Sequence, residues 1–175
     1  MQKYTNIYLV GLMGAGKTTI GRRLAKRLGR DFFDSDQELE GRTGVRIPIV
    51  FEIEGEAGFR AREAQMIAEL AHKSEIVMAT GGGAVLNPQT RSLLRETGWV
   101  VYLDVAPQLL YERTRLDRNR PLLQVDNPLK KLETLYEQRD GLYREVAHLI
   151  VDGTHTLANG VVQKILHEYQ QQCAR

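Results

Sequence analysis

Apolar residues along this chain follow two alternating rhythms: short runs that are apolar without interruption, and longer runs in which they recur every three or four positions. Ile7-Tyr8-Leu9-Val10 is the first short run. Residues 19–28 are the first long one, with Ile20, Leu24 and Leu28 on a single helical face. Gly29 predicts a helix stop, and residues 31–36 a short strand ending in two acids. A helix beginning near Gln37 is interrupted at Gly41 and Gly44. Pro48 restarts the helical pattern through Ile53, and Gly55 and Gly58 loosen it again. From Phe59 to His72 the run is amphipathic, with Met66, Ile67, Leu70 and Ala71 together. Ile76-Val77-Met78-Ala79 reads as a third strand and leads straight into Thr80-Gly81-Gly82-Gly83. Pro88 opens a helix that closes at Gly98, and residues 99–103 form a nearly continuous apolar strand of the kind buried on both faces. Pro107 begins a helix that dissolves into the polar, cationic stretch 113–121. Pro128 starts another reaching Ala147, with Gly141 as a candidate interruption. Leu149-Ile150-Val151 is the fifth strand, and Thr156 is a candidate cap for a last helix carrying Val161, Val162, Ile165 and Leu166.

Five apolar strands alternating with helices predict an α/β fold, a five-stranded parallel sheet flanked by helices on both faces. A length of 175 residues suits one domain spanning 1–175. Ligands in such sheets bind beyond the carboxyl ends of the strands. That rule gathers the loop after the first strand, the acids after the second and the glycines after the third into one crevice.

Composition narrows the partners. The hydrophobic share of 42% and charged share of 26% are those of a globular domain, and a net charge of +2 gives no argument for a nucleic-acid or membrane partner. Cys173 is the sole cysteine, which excludes a disulfide framework, a cysteine metal cluster and a thiol nucleophile, and a reducing cytoplasm is the expected home. The first six residues carry no cationic segment with a long apolar core, and no stretch approaches the roughly 20 apolar residues of a membrane span. His72, His148, His155 and His167 have no ligand-like spacing. With no long exposed apolar stretch, a monomer is expected.

The chemistry centres on Gly11-Leu12-Met13-Gly14-Ala15-Gly16-Lys17-Thr18, which fits the phosphate-loop pattern G-x-x-x-x-G-K-[ST] between a strand and a helix, as that loop requires. A nucleotide's phosphates need several backbone N–H groups converging on one place. Side chains at Gly11, Gly14 and Gly16 would obstruct that concave arrangement. The helix beginning at Lys17 adds its positive N-terminal end. Gly14, Ala15, Gly16, Lys17, Thr18 and Thr19 are thus candidate nucleotide-binding residues, Lys17 bridging the β- and γ-phosphates and Thr18 offering its hydroxyl to Mg2+.

The remaining candidates each allow a plainer reading. Asp34 and Asp36 follow a strand, where an acid caps the next helix. A carboxylate near a γ-phosphate also holds magnesium through water, or orients and deprotonates an attacking hydroxyl, and strand alternation would point both acids the same way. Gly81, Gly82 and Gly83 make either a mobile turn or a bare backbone surface for a small flat substrate. Arg113, Arg115, Arg118 and Arg120 form either a solvated face or a closing lid whose arginine offsets charge on a transferred phosphoryl group; the missing helical periodicity and Pro121 favour the lid. Arg60 and Arg139 have no purpose in their local patterns.

Taken together, these residues resemble the shikimate kinase family over nearly the whole chain. The resemblance rests on Gly-Leu-Met-Gly-Ala-Gly-Lys-Thr at 11–18, Phe-Asp-Ser-Asp at 33–36, Gly-Phe-Arg at 58–60, Thr-Gly-Gly-Gly at 80–83, Arg-Pro-Leu-Leu at 120–123, and Arg139 with Leu142-Tyr143. It implies a nucleoside monophosphate kinase-like fold with a substrate-binding segment at about 34–62 and a lid at about 113–125. It also implies ATP-dependent phosphorylation of the 3-hydroxyl of shikimate, on the route through chorismate to aromatic amino acids. On the same resemblance, Asp36 binds the ring hydroxyls and is the candidate base, and Asp34 reaches magnesium through water. Arg60 and Arg139 clamp the substrate carboxylate, a task suited to the planar guanidinium. Gly81, Gly82 and Gly83 face the substrate. Arg120 reaches the phosphates, and Arg113 matches an arginine stacked on adenine, with Arg115 the competing candidate. Residues 45–50 depart from the family pattern.

Among other kinases, one acting on gluconate or on a nucleoside monophosphate shares the phosphate loop, but the paired arginines favour an acid substrate. A GTP-dependent switch is disfavoured, because the chain has no Asn-Lys-x-Asp and no Asp-x-x-Gly motif.

Overall fold

The computed structural model describes residues 4–173. Residues 1–3, part of the N-terminal stretch read for a signal, lie outside the described residues with 174–175 and the Cys173 side chain. The elements in chain order are β1 (Asn6–Val10), α1 (Lys17–Leu28), β2 (Asp31–Asp34), α2 (Ser35–Thr43), α3 (Ile47–Ala71), β3 (Ile76–Ala79) and α4 (Pro88–Thr97). They continue with β4 (Gly98–Asp104), α5 (Pro107–Thr114), α6 (Pro128–Val146), β5 (Leu149–Asp152) and α7 (Ala158–Cys173). Short 3₁₀ turns lie at Ala84–Leu86 and Pro121–Leu123.

All strand pairs are parallel and the order is β2-β3-β1-β4-β5, with Ile7 of β1 registered against Val77 on one side and Trp99 on the other. The three inner strands β3, β1 and β4 are those whose apolar runs are least interrupted, and they are buried almost throughout. The edge strands β2 and β5 keep exposed positions. Alternation along β1 sends neighbours to opposite faces. Leu9 packs against Gly21 of α1, whereas the Tyr8 hydroxyl shares a 3.1 Å hydrogen bond with Thr97 of α4. Helices therefore cover both faces. The chain turns one way from β1 to β2 and the other way from β3 to β4, so a crevice opens at the carboxyl end of β1.

Five local expectations are revised. α2 runs through Gly41 and ends only before Gly44, which is left-handed at a φ of 73°. β2 ends at Asp34 rather than residue 36, because the Asp34 carboxylate accepts from the N–H groups of Asp36 and Gln37 and starts α2 there. α3 runs on through Gly58 and breaks only at Gly55, whose φ of 72° is non-helical. α6 is continuous through the exposed Gly141, since the stripe of Leu132, Leu135, Arg139, Tyr143 and Val146 buried along it outweighs a glycine cost of about 1 kcal/mol. Thr156 does not cap α7, which starts two residues later at Ala158; it lines the crevice instead.

Candidate active site

The phosphate loop is built by backbone. Gly14 and Gly16 hold φ values of 82° and 96°, in the left-handed region, and a Cβ on Gly14 would stand 2.7 Å from the Thr114 methyl group of α5. Lys17, the first residue of α1, curls over the loop and donates from Nζ to the carbonyls of Gly11 (2.6 Å) and Leu12 (2.8 Å). Burial, reinforced by the like charge of Arg120, lowers its ammonium to about 8. Thr18 Oγ1 donates to Asp34 Oδ2 at 2.5 Å, while Oδ1 of the same carboxylate accepts from Asp36 N (3.0 Å) and Gln37 N (3.1 Å). The capping reading of Asp34 is observed at one oxygen, which starts α2, while the other oxygen faces Thr18 of the loop. Asp36 shares that direction because it sits in the first turn of α2, not because of strand alternation.

Thr18 Oγ1 and Asp34 Oδ2 are hard oxygens of the kind magnesium takes. Among the described residues no group of three or more His, Cys, Asp or Glu could hold a metal. The donor set fits magnesium when phosphate and water oxygens complete the shell.

The opposite end is built by charged side chains around the turn after β3. A Cβ on Gly81 would run into Glu63 Oε2 and lie 2.8 Å from Asp36 Oδ1, and one on Gly83 would run into the Arg60 guanidinium. The turn is bare because acids from α2 and α3 and an arginine from α3 press on it. Arg60 donates from Nη1 to Glu63 Oε1 at 2.9 Å. Arg139, from α6, is 3% exposed. Burial is the chief cause that pushes the Asp36 carboxyl up to about 7; Glu63 and Asp34 add to it, and Arg120 and Lys17 oppose it. Burial likewise raises the Glu63 carboxyl, against the pull of Arg60.

Buried polar atoms without a hydrogen-bond partner are rare in folded proteins. Of seven among the described residues, five line this crevice: Asp36 Oδ1, Arg60 Nε, Glu63 Oε2, Asn119 Oδ1 and Arg139 Nη1. Such a concentration of unused donors and acceptors is what a polar ligand would satisfy.

The end of α5 and the segment after it line the crevice on a further side. Arg113 Nη1 donates to Gly14 O (3.1 Å), Arg120 Nε to Asp117 Oδ2 (3.1 Å), and Asn119 Nδ2 to Glu40 Oε1 of α2 (3.4 Å). Arg115 and Arg118 are exposed and outside it, which leaves Arg113 as the arginine lying over the loop. Ile47, Phe51 and Phe59 of α3 supply an apolar wall, with the two phenyl rings 4.7 Å apart. Residues 45–50 therefore contribute one side chain, Ile47, to the lining.

Gly14, Ala15, Gly16, Lys17, Thr18, Thr19, Asp34, Asp36, Arg60, Gly81, Gly82, Gly83, Arg113, Arg120 and Arg139 all line this one cavity of about 570 Å³. Sequence reasoning missed Glu63, Asn119 and Glu40, which also line it. Glu63 did leave a signal: it is an acid in the buried stripe of Phe59, Met66, Ile67 and Leu70, where an unpaired carboxylate is costly. Asn119 and Glu40 left none, since each reads as surface polar residue in its own segment.

The family model for shikimate kinase matches residues 13–170. This chain belongs to the shikimate kinase family. A shikimate kinase of Dechloromonas aromatica (strain RCB) is 65% identical over 166 residues, covering 95% of this chain and 91% of that protein. A shikimate kinase of Burkholderia pseudomallei (strain K96243) is 59% identical over 167 residues, covering 95% of this chain and 91% of that protein. Among solved structures, the shikimate kinase of Acinetobacter baumannii in complex with shikimate superposes with a TM-score of 0.94 at 50% identity, over 97% of this chain and 95% of that one. Membership makes the protein a kinase, and the phosphate loop is the part of it that a nucleotide requires.

Proposed function

We propose that the crevice transfers the terminal phosphoryl group of ATP to the 3-hydroxyl of shikimate, giving shikimate 3-phosphate and ADP, and that residues 1–175 act as one kinase domain with a substrate-binding segment at 34–62 and a lid at 113–125. The observation that carries this reading is the convergence of Asp36, Arg60 and Arg139 on the bare turn after β3, directly beside the phosphate loop. Two guanidinium groups, Arg139 buried and Arg60 partly so, suit a carboxylate held by paired N–H groups, and a carboxylate between them and the loop suits a ring hydroxyl.

In this reading the N–H groups at the start of α1, with Lys17 and Arg120, hold the phosphates and offset the charge that spreads over the transferred group. Arg60 and Arg139 fix the acceptor through its carboxylate and so bring the hydroxyl in line, while Asp36 Oδ1 accepts its proton as the new bond forms. Thr18 directly, and Asp34 through water, would hold Mg2+, which when bound draws charge from the β- and γ-phosphates. Arg113 and Arg120 close over the nucleotide and exclude water. No helix among the described residues is long and apolar enough to cross a membrane. The most exposed large apolar residues, Ile53, Leu116 and Leu157, come from three separate segments, which supports a monomer; the compartment proposed for it is the cytoplasm.

The test is ADP release by the purified protein with ATP and magnesium, with and without shikimate, together with identification of the product. Strong stimulation with shikimate 3-phosphate formed is the expected result. Nucleotide binding without stimulation would keep the phosphate loop and discard the acceptor.

A further inference from the structure

The turn after β3 is held from behind by a tyrosine that touches no part of the cavity. Tyr143, on α6 one turn beyond Arg139, is 1% exposed, and its hydroxyl donates a short hydrogen bond to the carbonyl of Gly82. A trans peptide is planar, so its C=O and N–H point in opposite directions. Holding the Gly82 carbonyl on Tyr143 therefore turns the N–H of Gly83 the other way, toward the crevice that Gly83 lines. Of the three glycines, Gly81 donates its N–H to Ser35 Oγ at 3.0 Å; among the described residues no acceptor takes those of Gly82 and Gly83.

Gly82 is also where the two ends of the site meet. A Cβ placed on it would lie 3.4 Å from Met13 N, 3.5 Å from Gly11 O and 3.7 Å from Arg139 Nη1, the buried nitrogen without a partner. Arg139, one turn earlier on the same helix, also bears electrostatically on the Tyr143 phenol. The Tyr143 ring is fixed in turn by stacking on Tyr102, with centroids 4.9 Å apart, and the Tyr102 hydroxyl is anchored to Asp140 Oδ1 at 2.8 Å. Burial pushes the Tyr143 phenol up to about 12, so it remains a donor at any pH where a kinase works.

We infer that Tyr143 is a positioning residue for the acceptor: its hydroxyl sets the direction of the Gly83 N–H in the turn beside Arg139, and so fixes affinity for the carboxylate-bearing substrate without touching it. The inference rests on the function proposed above.

Tyr143→Phe keeps the ring and its stacking and removes only the oxygen. The expected result is a rise of about ten-fold in KM for shikimate, the scale of one lost hydrogen bond to a buried group, with KM for ATP within about two-fold of wild type. Tyr136→Phe is the control. It removes a part-buried hydroxyl of the same helix that bonds Asp104 instead of the turn, and lowers the melting temperature while leaving KM for shikimate unchanged. If Tyr143→Phe is too unstable to assay at 25 °C, shikimate binding measured by calorimetry at 10 °C carries the same comparison. Unchanged shikimate affinity in Tyr143→Phe, or equal rises in both KM values that track the loss of melting temperature, would overturn the inference. Wild-type enzyme that fails to phosphorylate shikimate would instead sink the proposed function, a result distinct from either.

Discussion

The phosphate end and the acceptor end of the crevice lie one residue's contact apart at Gly82, yet they are made of different materials. The phosphate end is a run of neighbouring residues whose amides and φ angles do the work, and its one long side chain, Lys17, lies back on the carbonyls of its own loop. The acceptor end takes Asp36 from α2, Arg60 and Glu63 from α3 and Arg139 from α6, and places them around a turn with no side chains of its own. Backbone groups carry partial charges and can converge without mutual penalty. Full charges cannot. At the acceptor end each buried ion is partly balanced by the next, and the imbalance that remains shows in the raised carboxyl groups of Asp36 and Glu63 and in four unpartnered polar atoms. The phosphate end presents backbone groups, which suit the phosphates of a nucleotide whatever its base, and the acceptor end presents one particular arrangement of charged side chains.

If the two ends divide the work in this way, damage at one should leave binding at the other intact. The largest effect is expected from Asp36→Asn, which keeps the shape of the side chain and removes its ability to accept a proton. Turnover should fall on the order of 10³-fold, while the dissociation constant for ATP, followed by titration calorimetry, stays within about two-fold. A variant retaining a tenth of normal turnover would remove Asp36 from that role. Gly14→Ala makes the converse cut. A methyl group at a φ of 82°, 2.7 Å from the Thr114 methyl, has nowhere to go. The left-handed backbone alone costs an alanine about 1–2 kcal/mol, so KM for ATP should rise roughly 10–100-fold, with shikimate binding to the nucleotide-free protein nearly unchanged. Loss of shikimate binding in that variant would show that the ends are not separable.

The same contrast decides what could be read from the chain. The phosphate end was legible because its parts are contiguous and every fixed position has a backbone reason. The sheet was legible because three of its strands are apolar on both faces. At the acceptor end Asp36 and the three glycines were gathered by the strand-end rule, but Arg60 and Arg139 were legible only through the family resemblance: nothing in the pattern around either says that two helices far apart in sequence deliver them to one point. Glu63 was within reach of pattern reasoning, as an acid in an apolar stripe, and was passed over. The end of β2 was misplaced by two residues because a capping carboxylate and a strand-end carboxylate look alike until the amides of Asp36 and Gln37 are seen on Asp34.

Acidity offers a test without mutation. With the Asp36 carboxyl lifted from its ordinary 3.8 to about 7, and the Lys17 ammonium lowered from 10.5 to about 8, the proton-accepting form of one and the charged form of the other coexist only in a narrow window. kcat/KM for shikimate should therefore be bell-shaped, falling about ten-fold per unit below pH 7 and again above pH 8. Stability moves the opposite way on the acid side. The folded protein keeps a proton on Asp36 that the unfolded chain has already released, so this stabilising contribution is full below pH 4 and declines as pH rises toward 7. A kcat/KM profile flat from pH 5 to 8 would contradict the raised carboxyl.

The smallest expected effect isolates burial from charge. α3 carries a second arginine–carboxylate pair close to Arg60 and Glu63: Arg62 reaches across the Gly55 break to Glu54 through two short bonds, Nε to Oε2 at 2.7 Å and Nη2 to Oε1 at 2.6 Å. Its geometry is better than that of Arg60 with Glu63, whose single bond is 2.9 Å. The difference is water. The Glu54 and Arg62 side chains are 32% and 48% exposed, against 4% and 20% for Glu63 and Arg60. Solvent and salt screen the outer pair, and holding two long side chains in one pose offsets what attraction is left. Glu54→Gln should leave both KM values within about two-fold and the melting temperature within about one degree. If instead it weakened shikimate binding as a change at the acceptor end does, proximity to the Gly55 break, rather than burial beside the turn, would be what makes a charge pair on α3 count.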